Sequence, residues 1–101
     1  MPYYVSLVNF TEQGIAAIKD TVKRAEKARE LAESMGGSIE SIYWTVGPYD
    51  VVVTSEFADD ETNTAWILKL GSQGNIRTTT MRAFNEGEMV GVLKKIPASS
   101  A

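Results

Sequence analysis

The chain predicts an α+β fold of ferredoxin-like type, β-α-β-β-α-β, with a four-stranded antiparallel sheet carrying two helices on one face. Three observations point there. The stretches YYVSLVNF, SIESIYWTV, VVVTSEF and NIRTTTMRAF are rich in β-branched and aromatic residues. Between the first two runs apolar residues recur at spacings of three and four, the period of an amphipathic helix. The second and third runs are separated only by Gly47-Pro48-Tyr49-Asp50, a turn sequence that makes them a hairpin.

In chain order, Tyr3 to Phe10 is the first strand, ended by Thr11-Glu12-Gln13-Gly14. Ile15, Ile18, Val22, Ala25, Ala28, Leu31, Ala32 and Met35 then line one face of a single long helix stopped by Gly36-Gly37. Its other face alternates in charge, with Asp20 four before Arg24 and Arg29 four before Glu33, a pattern of solvated intrahelical pairs. Ser38 to Val46 and Val51 to Phe57 form the hairpin. Asp59-Asp60-Glu61 supplies a cap and negative charge to a shorter helix carrying Ala65, Trp66, Leu68 and Leu70, closed by Gly71 or Gly74. Asn75 to Phe84 is the fourth strand. Residues 1–96 are expected to make one domain and 97–101 a flexible tail.

Composition narrows the chemistry. At 101 residues and 44% hydrophobic content the chain suffices for one core. Thirteen acidic residues against ten basic ones give a net charge of -3, which speaks against nucleic acid or an anionic membrane as partner. Cysteine and histidine are both absent, so disulfides, thiolate nucleophiles, zinc-thiolate sites and the usual neutral-pH base are excluded. No charged leader precedes an apolar run and no run approaches a membrane span, so a cytoplasmic location is expected. No cofactor is implied, and Asp59-Asp60-Glu61 lacks the spacing of a calcium loop, so no metal is expected.

Helices cover one face of such a sheet, yet both strand parities are apolar: Tyr3, Val5 and Leu7 against Tyr4, Val8 and Phe10, and Val51 and Val53 against Val52. An uncovered apolar face of this size calls for another subunit. A homodimer or higher oligomer, paired sheet to sheet, is the expected assembly.

LVNFTEQG, KRAEKARELAESMGG, YWTVGPYDVVV, ADDE and GNIRTTTMRAF occur in this order, and with the signature GPYD they make the chain resemble the GYD domain family. That resemblance covers nearly the whole sequence. It implies the fold of the dimeric α/β barrel superfamily, in which two ferredoxin-like sheets share a barrel, and it implies no particular activity.

Several side chains could carry chemistry. Gly47-Pro48 presets a turn and Asp50 can bond backbone amides beside it, a structural role. Alternatively, Tyr49 and Asp50, with Glu56, are candidate catalytic residues, the acids as bases and Tyr49 as proton donor. Glu56 sits at a solvated strand end or pairs with Arg77 or Arg82. Those two arginines have opposite parity and are not expected to clamp one anion together unless a bulge intervenes. Asn9, Thr11 and Gln13 either line a polar rim or cap the following helix. Tyr43, Trp44, Trp66 and Arg77 are the candidate ligand-binding residues. Three functional readings follow: a domain binding a small, partly apolar molecule, a cofactor-independent isomerase or monooxygenase using Asp50 or Glu56 with Tyr49, and a purely structural assembly subunit.

Overall fold

A computed structural model of the chain describes residues 1–98. The strands are β1 (Tyr3–Phe10), β2 (Ser38–Trp44), β3 (Val51–Glu56) and β4 (Ile76–Ala83), and the helices are α1 (Glu12–Ala16), α2 (Thr21–Ser34), α3 (Asp60–Ser72) and α4 (Glu86–Lys94). They make one sheet in the order β2-β3-β1-β4 with every neighbouring pair antiparallel. The ferredoxin-like α+β arrangement expected from the sequence is the fold of this protein.

The register sorts the strand residues into two faces. Toward the helices point the rows Trp44–Val51–Val8–Thr78, Ile42–Val53–Ser6–Thr80 and Ile39–Ser55–Tyr4–Arg82. Away from them point Tyr43–Val52–Leu7–Thr79, Ser41–Thr54–Val5–Met81 and Ser38–Glu56–Tyr3–Ala83. Ile39 and Ile42 are three residues apart yet share a face because a bulge at Glu40 interrupts the β2–β3 register. The core lies on the helix side: Tyr4, Val8, Ala32, Ile39, Val51, Val53, Phe57 and Trp66 are all buried. Phe57 packs against Trp66 at 5.1 Å between ring centroids, and the Trp66 indole N–H donates to Ala28 O at 3.0 Å, tying α3 to α2.

The segment from Ile15 to Met35 is not the single helix its spacing suggests. α1 ends at Ala16, Ile18–Asp20 forms a 3-10 turn, and α2 starts at Thr21. Such a break frees carbonyls that need donors. Arg24 supplies them, giving one nitrogen to Ala17 O at 2.8 Å and another to Gly14 O at 3.2 Å. The Asp20–Arg24 and Arg29–Glu33 pairs are accordingly absent among the described residues, with Arg29 donating to Ile39 O instead. α2 stops where expected: Gly36 takes φ +80°, and Gly37 N–H reaches back to Ala32 O at 2.9 Å. Asp59 caps α3, its Oδ1 accepting from Thr62 N at 2.8 Å.

Beyond Phe84, where the sequence pattern assigns no element, Asn85 and Glu88 close a capping box and start α4. Met89, Val90, Leu93 and Ile96 are exposed there. Residues 97 and 98 follow, while the remainder of the expected tail, 99–101, lies outside the described residues. No described helix is long and apolar enough to cross a membrane.

Candidate functional site

A cavity of about 90 Å³ lies between the inner sheet face and helices α2 and α3. Val8, Ile39, Ile42, Val51, Val53 and Trp66 give it apolar walls, and Phe10, Thr21, Arg24, Trp44, Gln73 and Asn75 also line it. The volume is far below the few hundred Å³ that a drug-sized ligand occupies. It suits a small molecule or the apolar end of a larger one. Both indole N–H groups are hydrogen-bonded: that of buried Trp66 donates to Ala28 O, and that of exposed Trp44 donates to Thr21 Oγ1 at 3.0 Å. That second bond spans β2 and the start of α2, so the helix break that exposes Thr21 also helps to hold Trp44.

The residues singled out from the sequence fall into three places. Trp44 and Trp66 line the cavity. Tyr43, Arg77 and Glu56 belong to the opposite, open sheet face by register. Glu56 faces the N-terminal ammonium at 3.7 Å rather than Arg77 or Arg82. Tyr49 and Asp50 occupy the β2–β3 connection, and both are half-buried. Asp50 and Glu56 flank opposite ends of β3, roughly 20 Å apart by strand rise, so Tyr49 and Glu56 do not meet within one chain.

Within the GPYD connection, Asp50 and the Tyr49 carbonyl are held by hydrogen bonds. Asp50 N–H donates to Val8 O and Asp50 Oδ2 accepts from Phe10 N–H, both at 2.8 Å. Thr45 N–H donates to Asp50 O at 2.8 Å, and Thr45 Oγ1 to Tyr49 O at 2.7 Å. The carboxylate therefore extends the β1–β3 pairing past the end of β3 and pins Phe10, which lines the cavity. Asp50 touches the cavity through that neighbour. Across the mouth, Thr11 caps α1 by accepting from Gly14 N–H at 3.1 Å and donates its hydroxyl to Gly74 O at 2.5 Å. Gln13 donates to Gln73 O and Asn75 Oδ1, each at 3.0 Å. Capping and cross-linking, rather than a free polar rim, are the roles the structure gives Thr11 and Gln13.

Sequence reasoning missed the buried polar residues Ser6, Ser55 and Asn63. Ser6 donates to or accepts from Thr80 at 2.9 Å, and Asn63 Nδ2 reaches Ser55 Oγ at 3.5 Å. Their signal was available: Ser6 and Ser55 share parity with Tyr4 and Val53, and Asn63 precedes Trp66 by three on the inner stripe of α3. Tyr4 is the second omission. Its hydroxyl donates to Asp60 Oδ1 at 2.5 Å, and burial first, then this bond and the charge of Asp60, push its pKa up to about 12, against a smaller opposing pull from Arg82.

The comparisons agree with this architecture. A Thermus thermophilus protein described as glutamine synthetase and cystathionine beta-lyase binding protein is 30% identical over 95 residues, covering 93% of this chain and all of that one. Among solved structures, TTHA0845 from Thermus thermophilus superposes with a TM-score of 0.55 at 21% identity, over 84% of this chain and 95% of that one. MtbAldR superposes with a TM-score of 0.66 at 13% identity over 84% of this chain, which spans about half of that protein, 52%. Both structural likenesses concern the fold alone. The GYD domain model matches residues 4–93, and the chain belongs to the GYD domain family.

Proposed function

We propose that this GYD protein is a homo-oligomeric binding protein that takes a small, partly apolar molecule into the cavity beneath Trp44 and Trp66, while a second copy covers the open sheet face. The carrying observation is the cavity itself: apolar walls, two hydrogen-bonded indoles, and polar Thr21, Arg24, Gln73 and Asn75 also in its lining. Support for the assembly comes from Tyr3, Val5, Leu7, Val52, Tyr43 and Met81, which share the face turned away from α2 and α3.

The test uses 1-butanol as probe in an NMR titration of isotope-labelled protein. Saturable shifts of the two indole N–H signals are expected, and Ala25→Leu, which fills the cavity from α2, is expected to abolish them without unfolding the protein. Absence of saturable shifts in the wild type favours the purely structural reading.

A second reading makes a protein the partner. It draws on the exposed apolar residues of α4 and on the relative whose name gives it two enzymes to bind. The enzyme reading, with Asp50 or Glu56 as base and Tyr49 as donor, requires Asp50 to release Phe10 N–H or Glu56 to act on the open face, and draws less support from this geometry.

A further inference from the structure

A second concavity, larger and more polar than the first, opens between the N-terminal half of α3 and the edge strand β4. Its volume is about 330 Å³, and Tyr4, Asp60, Asn63, Thr78, Thr80 and Arg82 line it. Two opposite charges belong to it without neutralising each other. Asp60 accepts from the Tyr4 hydroxyl at 2.5 Å. Arg82 makes no ion pair among the described residues. Its guanidinium instead lies over the Phe84 ring at 4.5 Å and the Tyr4 ring at 5.8 Å, with one nitrogen donating to the Ala83 and Tyr3 carbonyls. Tyr4 thus adjoins both charges, bonded to the carboxylate at its hydroxyl and covered by the guanidinium at its ring.

We infer that this cleft binds a small zwitterion of the α-amino-acid type, its ammonium group on Asp60 and its carboxylate on Arg82. A simple anion would meet the repulsion of Asp60 and a simple cation that of Arg82, so only a molecule carrying both charges gains at each end. The guanidinium fork is suited to a carboxylate. The Thr78 hydroxyl adds a neutral polar group for a short polar side chain, while Thr80 and Asn63, bonded to Ser6 and Ser55, form the polar wall behind it. Tyr4 keeps its proton across the physiological range, so it remains a donor to Asp60 and holds that carboxylate in the lining. Ile67 and Thr78 line both this cleft and the apolar cavity, while Asp60, Asn63, Thr80 and Arg82 belong to the cleft and the two tryptophans to the cavity.

The experiment is an NMR titration with three probes: L-serine, ethanolamine, which lacks the carboxylate, and 3-hydroxypropionate, which lacks the ammonium. L-serine is expected to give saturable shifts at the Asn63 side-chain amide and the Thr80 backbone amide, which line only this cleft, leaving the indole signals of Trp44 and Trp66 in place. Each truncated probe is expected to bind about tenfold more weakly or worse. Arg82→Gln, at an exposed position, is expected to remove the discrimination between L-serine and ethanolamine with the fold intact. Asp60→Asn is expected to do the same for 3-hydroxypropionate. Equal binding of all three probes, shifts located elsewhere, or no binding of L-serine by folded protein would each overturn the assignment.

Discussion

Asp50 holds Phe10: its carboxylate accepts the Phe10 amide proton at 2.8 Å while its own amide donates to Val8 O at the same distance. One residue of the hairpin connection thereby closes the end of β1 in two places, and Phe10 is presented to the cavity. If this bond is the work of Asp50, Asp50→Ala leaves a part-buried amide without its acceptor and destabilises the protein by about 1–3 kcal/mol. Asp50→Asn retains an acceptor oxygen and is expected to cost less, about 1 kcal/mol. Urea unfolding of the two variants checks the order. Wild-type stability in both would contradict it.

Gly14 is a second point of close approach. A Cβ placed there would collide with the Asn75 carbonyl, while the Asn75 oxygen already accepts from Thr11 N–H at 3.1 Å. Because the obstacle is backbone, α1 cannot yield without loosening its attachment to the α3–β4 connection. Gly14→Ala is expected to cost about 1–3 kcal/mol despite alanine's better helix propensity. An unchanged or raised melting temperature would show that α1 shifts freely.

Tyr4 makes a pH signature. Its pKa is raised from 10.0 to about 12, so the folded state favours the neutral phenol. That contribution is whole below about pH 10 and is lost as pH rises toward 12, amounting to about 2–3 kcal/mol. Tyr4→Phe removes the titrating group. The wild type should therefore lose its advantage over the variant between pH 10 and 12 in chemical denaturation, and a pH-independent difference would contradict this. At the acid end Asp59, held below the usual carboxylate range first by its Thr62 side-chain bond, contributes stability that disappears as pH falls through its folded value.

How much of this was legible in the sequence depended on whether local pattern and tertiary demand agreed. β1, the hairpin, the Gly36 stop and the Asp59 cap were readable because strand alternation, glycine conformation and capping chemistry act over a few residues. The break after Ala16 was not readable. Ile15 and Ile18 continue the apolar spacing, and the break depends on Arg24 reaching back to Gly14 and Ala17, a tertiary use of a side chain that looks like half of an ion pair. Tyr43 and Trp44 looked like joint walls of one site, yet adjacent strand residues face opposite sides, and only Trp44 reaches the cavity. α4 was missed because Gly87 and Gly91 weaken its helical signal. The Tyr4–Asp60–Arg82 grouping joins residues far apart in the chain, and no local pattern announces it.

Leu7 lies mid-row on the open face, opposite Val52 and Thr79. Replacing it with lysine places a charge where a partner sheet would pack, at little cost to a lone chain because Leu7 is outside the core. Leu7→Lys is expected to shift the protein to monomer by at least about tenfold in dissociation constant, with its circular dichroism unchanged. An unaltered assembly in sedimentation equilibrium would place the interface elsewhere.

This chain is proposed to be one part of an assembly, its inner face built around a small cavity and its outer face left for a second copy. Native mass spectrometry of the purified protein tests that most directly, because it counts subunits under gentle conditions. A dimer or a multiple of dimers is the predicted result. A clean monomer across micromolar concentrations would contradict it, since the apolar row of Tyr43, Val52 and Leu7 would then face water.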